Sequence, residues 1–318
     1  MRFFLLLSVI VSSVMCGYGQ SSADPYYVSM NWKVGDRKMI SAKSSAIIYL
    51  DGNLLQNASS EASYELIVRS KNEDTFEIGI TNTELGEPFN ALLEQEQLAL
   101  FNNMMQELIQ RLNQIELRYL ISSETGNVIE FINAEEASDS IYTVFTDLTE
   151  SFLKLFNQEL SQENIEKTNE LLISALDEKM TELLESMSNT ITLLFQVYDL
   201  PYIINQTYVI EKEHYEVDQV NYGNITYSGQ LEIFSTRKGN TLTISYDTYY
   251  DEQELFNIFK DRIEQIEGYK ESFEFKDKSS YQIDMATSWP KSYSNSIDIR
   301  IGGIRTLQNT FVEFKDLN

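Results

Sequence analysis

Hydrophobic and polar residues alternate with a period of two over residues 37–81. Leu66 and Val68 alternate with polar neighbours, and Phe76 and Ile78 do the same after a polar turn. Successive side chains of a β-strand point to opposite faces, so this alternation is typical of half-buried strands. The pattern predicts an antiparallel hairpin.

The spacing of hydrophobic residues changes to three or four between 89 and 116, where Leu100 and Met104 belong to one apolar stripe. Such spacing is typical of an amphipathic helix, because residues three or four apart lie on one helical face. Alternation returns at 117–121 and at 128–132, which predicts a second hairpin after the helix.

A second helical region is predicted to begin after Asn133. Asn133 and Glu136 have the spacing of a capping box. Apolar stripes follow over 137–155 and 165–194, so the pattern predicts a helical hairpin over 134–198.

The rest of the chain alternates again and predicts mainly strands. They lie at 202–217, 225–235, 241–250, 273–276, 281–285, 296–301 and 310–314, with a short helix beginning at Asp251. Asp51-Gly52-Asn53 is typical of a type I′ hairpin turn, and Gly302-Gly303 predicts a bulge or tight turn.

Together these elements predict an α+β fold in which long, curved, mostly antiparallel sheets pack on helices. We divide the chain into a signal peptide at 1–19, a first β-rich α+β unit at 20–133, the helical hairpin at 134–198 and a second β-rich α+β unit at 199–318. Both β-rich units contain a hairpin, a helix and a further hairpin in that order. This suggests an internal duplication with an inserted helical hairpin, although chance recurrence of the same order is the alternative.

The composition narrows the class of function. The 318 residues are 42% hydrophobic and 12% aromatic, as in a globular protein, and carry a formal net charge of −25. This charge repels phosphate backbones, so nucleic acid is not predicted as a partner.

The N-terminus predicts export, because an apolar run at 3–14 has signal-peptide length. Cleavage is predicted between Gly19 and Gln20, and the mature chain is expected in a periplasm or outside the cell. Cleavage would remove Cys16, the only cysteine. Lipid attachment to Cys16 is the alternative, and it is disfavoured because Met15 stands where a lipoprotein signal has a small residue. No transmembrane segment is predicted in the mature chain.

The chain resembles uncharacterised secreted proteins of the Bacteroidetes in three segments. These are the exported start ending in Gly19-Gln20, the hairpin with Arg118-Tyr119-Leu120-Ile121 and Gly126-Asn127-Val128-Ile129-Glu130-Phe131-Ile132-Asn133, and Tyr281-Gln282-Ile283-Asp284 followed by Trp289-Pro290. Ser288 departs from the pattern, since such proteins often have glycine before the tryptophan. The resemblance implies an exported α+β protein and brings no catalytic residues with it.

Few residues suggest catalysis. His214 is the only histidine and lies in a charged segment predicted to be a strand, so neither a multi-histidine metal site nor a cofactor is predicted. The nearest approach to a pair of glycosidase carboxylates is an acidic group near three tyrosines. It consists of Asp247, Asp251, Glu252 and Glu254 with Tyr246, Tyr249 and Tyr250.

The sequence therefore favours a non-enzymatic, exported binding or interaction protein, whose partner is an apolar small molecule or an envelope protein. An apolar ligand is expected between sheet and helix. The residues predicted to line its site are Phe101, Met104, Met105, Trp32 and Trp289. Two alternatives are a carboxylate-dependent glycan hydrolase and a structural or assembly protein of the cell envelope. The assembly alternative would be favoured if the apolar stripe over 162–196 faced solvent.

Overall fold

A computed structural model of the protein describes most of the chain after the N-terminal segment. The described ranges are 25–85, 104–155, 161–174, 191–219, 223–257 and 273–317, apart from residues 105, 109, 172, 193 and 255.

Long strands make up most of these described ranges. They are β1 (Tyr26–Tyr27), β2 (Arg37–Leu50), β3 (Asn53–Lys71), β4 (Thr75–Leu85), β5 (Glu116–Ser122), β6 (Val128–Phe131), β7 (Pro201–Tyr202), β8 (Thr207–Gln219), β9 (Gly223–Lys238), β10 (Thr241–Tyr250), β11 (Phe273–Asp284), β12 (Pro290–Ile301) and β13 (Ile304–Asp316). The helices are α1 (Ala134–Asp147), α2 (Thr149–Leu155) and a 3-10 turn at Gln196–Tyr198. Shorter helical stretches lie within 104–112, 162–174, 191–195 and 252–257.

Eleven of the strands form one antiparallel sheet, in the order β6-β5-β4-β3-β2-β13-β12-β11-β10-β9-β8. Strands β1 and β7 form a separate two-stranded sheet. The pairing of β2 with β13 joins the two ends of the chain, from Lys38 opposite Asp316 to Leu50 opposite Ile304. The long sheet is therefore continuous across the middle.

The prediction of an α+β fold with sheets packed on helices was wrong. A single large antiparallel sheet dominates the described residues, and their helices are few and short. The prediction failed because strands were placed only where hydrophobic residues alternate. For example, β11 runs without a break through the polar segment 277–280, because each of these residues pairs with β10 and β12.

The two faces of the sheet differ in their side chains, and we name them by residues of β2. The inner face carries Ile40 and the residues in register with it, and the outer face carries Lys43 and its cross-strand partners. Near the start of β2 the inner face is covered by a core of buried hydrophobic residues from both halves of the chain, including Leu66 and Ile244.

Two tryptophans lie at the centre of this core. Trp32 is 1% exposed and stacks on Trp289, with ring centroids 3.9 Å apart and planes at 5°. Phe195 meets the edge of Trp32 at 5.1 Å, and the indole nitrogen of Trp289 donates a hydrogen bond to Asp36 at 3.2 Å. Ser288, just before Trp289, has a φ of 61°, a conformation that favours glycine.

The start of α1 differs from the predicted capping box. The side chain of Asn133 makes no capping hydrogen bond. It instead bonds to strand β5, accepting from the Arg118 backbone at 2.7 Å and donating to the Glu116 carbonyl at 2.9 Å. Asn133 therefore fixes the helix to the sheet.

Buried tyrosines connect the core to the 3-10 turn. Tyr202 donates a hydrogen bond to the Val197 carbonyl at 2.6 Å, and the hydroxyls of Tyr202 and Tyr246 lie 2.6 Å apart. Burial raises the pKa of Tyr202 and Tyr246, and it also raises the pKa of Tyr198 and Tyr281.

These raised pKa values predict that the protein loses stability at high pH. An unfolded tyrosine loses its proton near its ordinary pKa of about 10, whereas the buried tyrosines keep theirs. Unfolding therefore releases protons above about pH 10, and the free energy of unfolding should fall as the pH rises further. Below that pH the buried tyrosines should not make the free energy of unfolding depend on pH. Urea unfolding across this range measures the fall.

The variant Tyr246→Phe is the control for this prediction. This variant has one buried tyrosine fewer. Its free energy of unfolding should therefore fall less steeply with pH than that of the wild type, by up to about 1.4 kcal/mol per pH unit. Identical slopes in the two proteins would contradict the assignment.

Candidate functional site

The inner face of the sheet is divided by a row of small polar side chains, which we call the polar belt. One residue from each of five adjacent strands contributes to it. In register, they are Ser60, Ser44, Thr310, Asn295 and Ser279.

Two pairs of residues within the polar belt are hydrogen-bonded. The hydroxyls of Ser44 and Thr310 lie 3.2 Å apart, and Asn295 donates to the Ser279 hydroxyl at 3.1 Å. Satisfied polar groups of this kind can border a hydrophobic core without a large desolvation cost. The belt therefore ends the core on this face.

Beyond the polar belt, the inner face becomes apolar again. We call this second surface the distal inner face, and its large hydrophobic residues come from β2, β11, β12 and β13. They are Ile48, Phe275, Ile297, Ile299, Ile301 and Ile304. All six are half-buried, and within the described ranges none belongs to the clusters that form the core or to the residues packed against them.

Uncharged polar groups and one acid accompany these residues. Thr306 and Gln308 lie between the isoleucines, and Asp277 lies opposite Ile297. The Asp277 carboxylate accepts hydrogen bonds from Tyr250 at 2.9 Å and from Asn295 at 2.7 Å. The one acid on this surface is thus held beside the polar belt.

The outer face at the same height carries charged residues together with the half-buried residues Ile47 and Leu307, which lie opposite each other. Arg305 donates two hydrogen bonds to Asp298, at 3.0 and 2.8 Å, and they lower the pKa of that carboxyl. Lys276 pairs with Glu274 at 3.1 Å. Since Asp298 and Ile299 are neighbours in the chain, the contrast between the faces follows from strand alternation. The charged side chains at this height lie mainly on the outer face, so the inner face is the less charged of the two.

The predicted ligand-lining residues lie in different places. Trp32 and Trp289 stack on each other, and Met104 is 3% exposed, so the three fill space inside the protein. Phe101 and Met105 lie outside the described residues. A lining role for these five residues stays a prediction.

The predicted signal cleavage between Gly19 and Gln20 also falls outside the described residues, as does Cys16. Export, cleavage and the absence of a lipid anchor therefore stay predictions.

Sequence reasoning missed the residues of the distal inner face. The alternation of Ile297, Ile299 and Ile301 was a usable signal, because it places three isoleucines on one face of β12. Their approach to Ile48 and Phe275 depends on pairing between distant strands, which has no local signal.

The acidic group considered for glycan hydrolysis does not form one cleft. Asp247 lies on the outer face and pairs with Lys278 at 2.7 Å, whereas its neighbour Tyr246 is buried on the inner face. Asp251 accepts a hydrogen bond from the Glu254 backbone at 2.9 Å, as a helix cap. The sheet therefore separates these side chains.

A groove of about 610 Å³ crosses the outer face behind the polar belt. Serines form much of its floor, and an ion pair lies at each end, Lys43 with Glu61 at 2.7 Å and Lys278 with Asp247. Its two carboxylates belong to strands that are five pairings apart, which is about 24 Å at ~4.8 Å per strand. Glycosidase carboxylates are at most about 10 Å apart, so these two cannot act as such a pair.

The helical stripe considered for assembly is only partly within the described ranges. Ile191 and Leu194, at its end, are 7% and 6% exposed. Leu171 and Ile173 are exposed but lie off the predicted stripe. The C-terminal end of the predicted stripe is therefore buried.

In the ranges that the structure describes, no three His, Cys, Asp or Glu side chains are grouped so as to hold a metal ion. Within the same ranges, the helices are too short or too polar to cross a bilayer.

Comparison with known proteins gives only distant likenesses. No protein-family model and no curated protein matches the chain. Among solved structures it is similar to lipovitellin, described for its lipid–protein interactions, with 10% identity, 89% of this chain covered and a TM-score of 0.41. The chain spans 25% of that lipovitellin chain.

Two outer membrane proteins are similar at lower scores. An outer membrane channel from Pseudomonas putida F1 has a TM-score of 0.17, and the outer membrane protein OprG from Pseudomonas aeruginosa has one of 0.11. Each of the two is 7% identical to this chain and covers 90% of it. The match covers 98% of the channel and 95% of OprG. At these values the likenesses transfer no ligand and no activity to this chain.

We predict that the distal inner face contributes less to stability than the core does. Ile244 is fully buried, so Ile244→Ala should lower the free energy of unfolding by about 2–5 kcal/mol. Ile299 is half-buried, and Ile299→Ala should cost about 1 kcal/mol. Urea unfolding of the two variants measures the difference. Equal losses would mean that the distal inner face is packed like the core.

Proposed function

We propose that the protein is an exported, non-enzymatic binding protein that carries an apolar ligand against the distal inner face. The observation that carries the proposal is the second apolar surface, which the polar belt separates from the core. Apolar surface that is not used to close a core is typical of ligand or partner sites. The proposal includes export because the N-terminal apolar run at 3–14 has the length of a signal peptide.

The dimensions of the distal inner face suit a chain-like apolar ligand. Its residues come from four adjacent strands, which span about 14 Å at ~4.8 Å per pairing. Along β12, the distance from Ile297 to Ile301 is also about 14 Å, at ~3.4 Å per residue. An acyl chain or a molecule of similar length can lie across this surface.

The polar groups bordering the surface favour a ligand with an uncharged polar head. Ser44 and Thr310 offer hydroxyls at the belt, and the Asp277 carboxylate lies beside them. An anionic head would be repelled by Asp277, whereas a hydroxyl or ester can exchange hydrogen bonds with the belt. A monoacylglycerol has this chemistry.

The available binding energy is moderate. Each buried methylene contributes ~0.8 kcal/mol, so about ten of them contribute roughly 8 kcal/mol before the cost of ordering the ligand. A net free energy of about −8 kcal/mol would correspond to a micromolar Kd, so after the cost of ordering the Kd is expected to lie above the micromolar range. Binding is therefore expected to be reversible, as a carrier requires.

The first experiment is native mass spectrometry of the protein purified from its own source, followed by denaturation and lipid extraction. We expect an apolar molecule with a neutral head at up to one equivalent. Protein that is free of any apolar molecule, and that also fails to bind added monoacylglycerol, would contradict the proposal.

Two neighbouring substitutions test the face that binds. Ile297→Asp places a charge on the distal inner face, and Ser296→Asp places the same charge on the outer face one residue earlier. We expect Ile297→Asp to weaken binding of a fluorescent monoacylglycerol at least tenfold, because the new carboxylate must be desolvated. Ser296→Asp should bind like the wild type.

Thermal unfolding of both variants shows whether each remains folded. Equal affinity of Ile297→Asp and wild type, or equal weakening by the two substitutions, would exclude the distal inner face as the binding surface.

A further inference from the structure

Three leucines are exposed together at the turn between β2 and β3, and we call them the leucine tip. Leu50, Leu54 and Leu55 are 44%, 60% and 66% exposed. Val34, at the other end of the hairpin, is 60% exposed. Single exposed hydrophobic residues are common in soluble proteins, but a cluster marks a contact site.

The backbone holds the leucine tip in a tight turn. Asp51 and Gly52 have φ angles of 50° and 78°, as in the type I′ turn that the sequence predicts. The Asp51 backbone donates a hydrogen bond at 2.8 Å to Gly303, in the turn between β12 and β13. The two turns therefore form one end of the sheet.

The leucine tip is continuous with the proposed ligand surface. Leu50 pairs with Ile304, and Ile304 pairs with Ile301, so the three side chains share the inner face. Leu54 pairs with Tyr49 across a β-bulge and lies on the outer face. The tip therefore presents leucines on both faces of the hairpin.

This arrangement fits a lipid surface better than a protein partner. A protein stacked on the sheet would cover one face of the hairpin only. Stable protein interfaces bury about 1,200–2,000 Å², far more than three leucine side chains can supply. A tip that enters the interfacial region of a lipid layer is surrounded on all sides, so leucines on both faces become buried.

Local charge indicates which kind of lipid surface is compatible. The chain as a whole carries −25, which opposes anionic lipids. Asp251, Glu252 and Glu254 follow the end of β10, four strand pairings from β2 along the same end of the sheet. The charged residues on the strands nearest to the leucine tip, however, are balanced. They are Asp51, Glu274 and Asp298 with Lys276, Arg300 and Arg305. The leucine tip can therefore approach an electrically neutral, zwitterionic lipid surface.

We propose that the leucine tip inserts into a zwitterionic lipid surface, where the distal inner face collects or releases its ligand. The second part rests on the proposed function. Leu50, Ile304 and Ile301 provide an apolar path from the lipid layer to the distal inner face, so the ligand need not cross water.

Flotation with phosphatidylcholine vesicles tests the insertion. The full-length mature protein should float with the vesicles, and the double variant Leu54→Ser/Leu55→Ser should partition at least tenfold less, because two exposed leucines no longer enter the lipid. Val34 is 60% exposed at the opposite end of β2, so Val34→Ser should float like the wild type. The double variant should still bind soluble monoacylglycerol with unchanged affinity.

The outcomes separate this inference from the proposed function. If Ile297→Asp still binds vesicles but no longer binds monoacylglycerol, the protein has two distinct surfaces for the two kinds of binding. Absent vesicle binding by the wild type, equal flotation of the double variant, or binding only to anionic vesicles would overturn insertion. A concentration-dependent dimer that the double variant loses would also overturn it, by assigning the leucines to a second copy of the chain.

Discussion

The continuous ladder of antiparallel backbone hydrogen bonds is the constraint on which the structure depends. Most strands of the long sheet have a neighbour on each side, and β2 with β13 closes the gap between the two ends of the chain. Backbone groups must be paired when they are removed from water, so a strand can continue wherever at least one neighbour offers it a partner. Segments with weak strand propensity, such as 58–63, are thereby held extended.

The length of the strands leads to two apolar compartments on one face. A strand of 12 to 14 residues, as in β2, β12 and β13, is longer than the stacked tryptophans and their neighbours can cover. The polar belt lies at the edge of the core. Hydrogen bonds between its hydroxyl and amide groups reduce the cost of placing polar side chains beside the buried hydrophobic residues. The isoleucines beyond the belt are then a surface whose chemistry suits a ligand, and their loss costs the core little.

The proposed ligand surface and the leucine tip lie along the same strands. Ile48 and Leu50 are two residues apart on β2 and share the inner face, so the proposed ligand surface and the proposed insertion site meet on one β-strand. A rigid sheet keeps their relative position fixed. A carrier built this way requires no hinge to connect its binding surface with a lipid layer.

The sequence by itself determined the local elements. Alternation located the hairpins around Leu66 and Ile244, and turn chemistry located the tight turns at Asp51-Gly52 and Gly302-Gly303, because these signals act between near neighbours. The stacking of Trp32 on Trp289 had no local signal, because 257 residues separate them in the sequence.

The tertiary structure decided which strands are neighbours, how far each one extends and which side chains share a face. Ile48 and Ile299 are 251 residues apart, and they share the distal inner face only because β13 lies between β2 and β12 in a fixed register. A shift of one residue in that register would turn the isoleucines outward. Local patterns carry no information on pairing between such distant strands, so the candidate site could be recognised only in the folded chain.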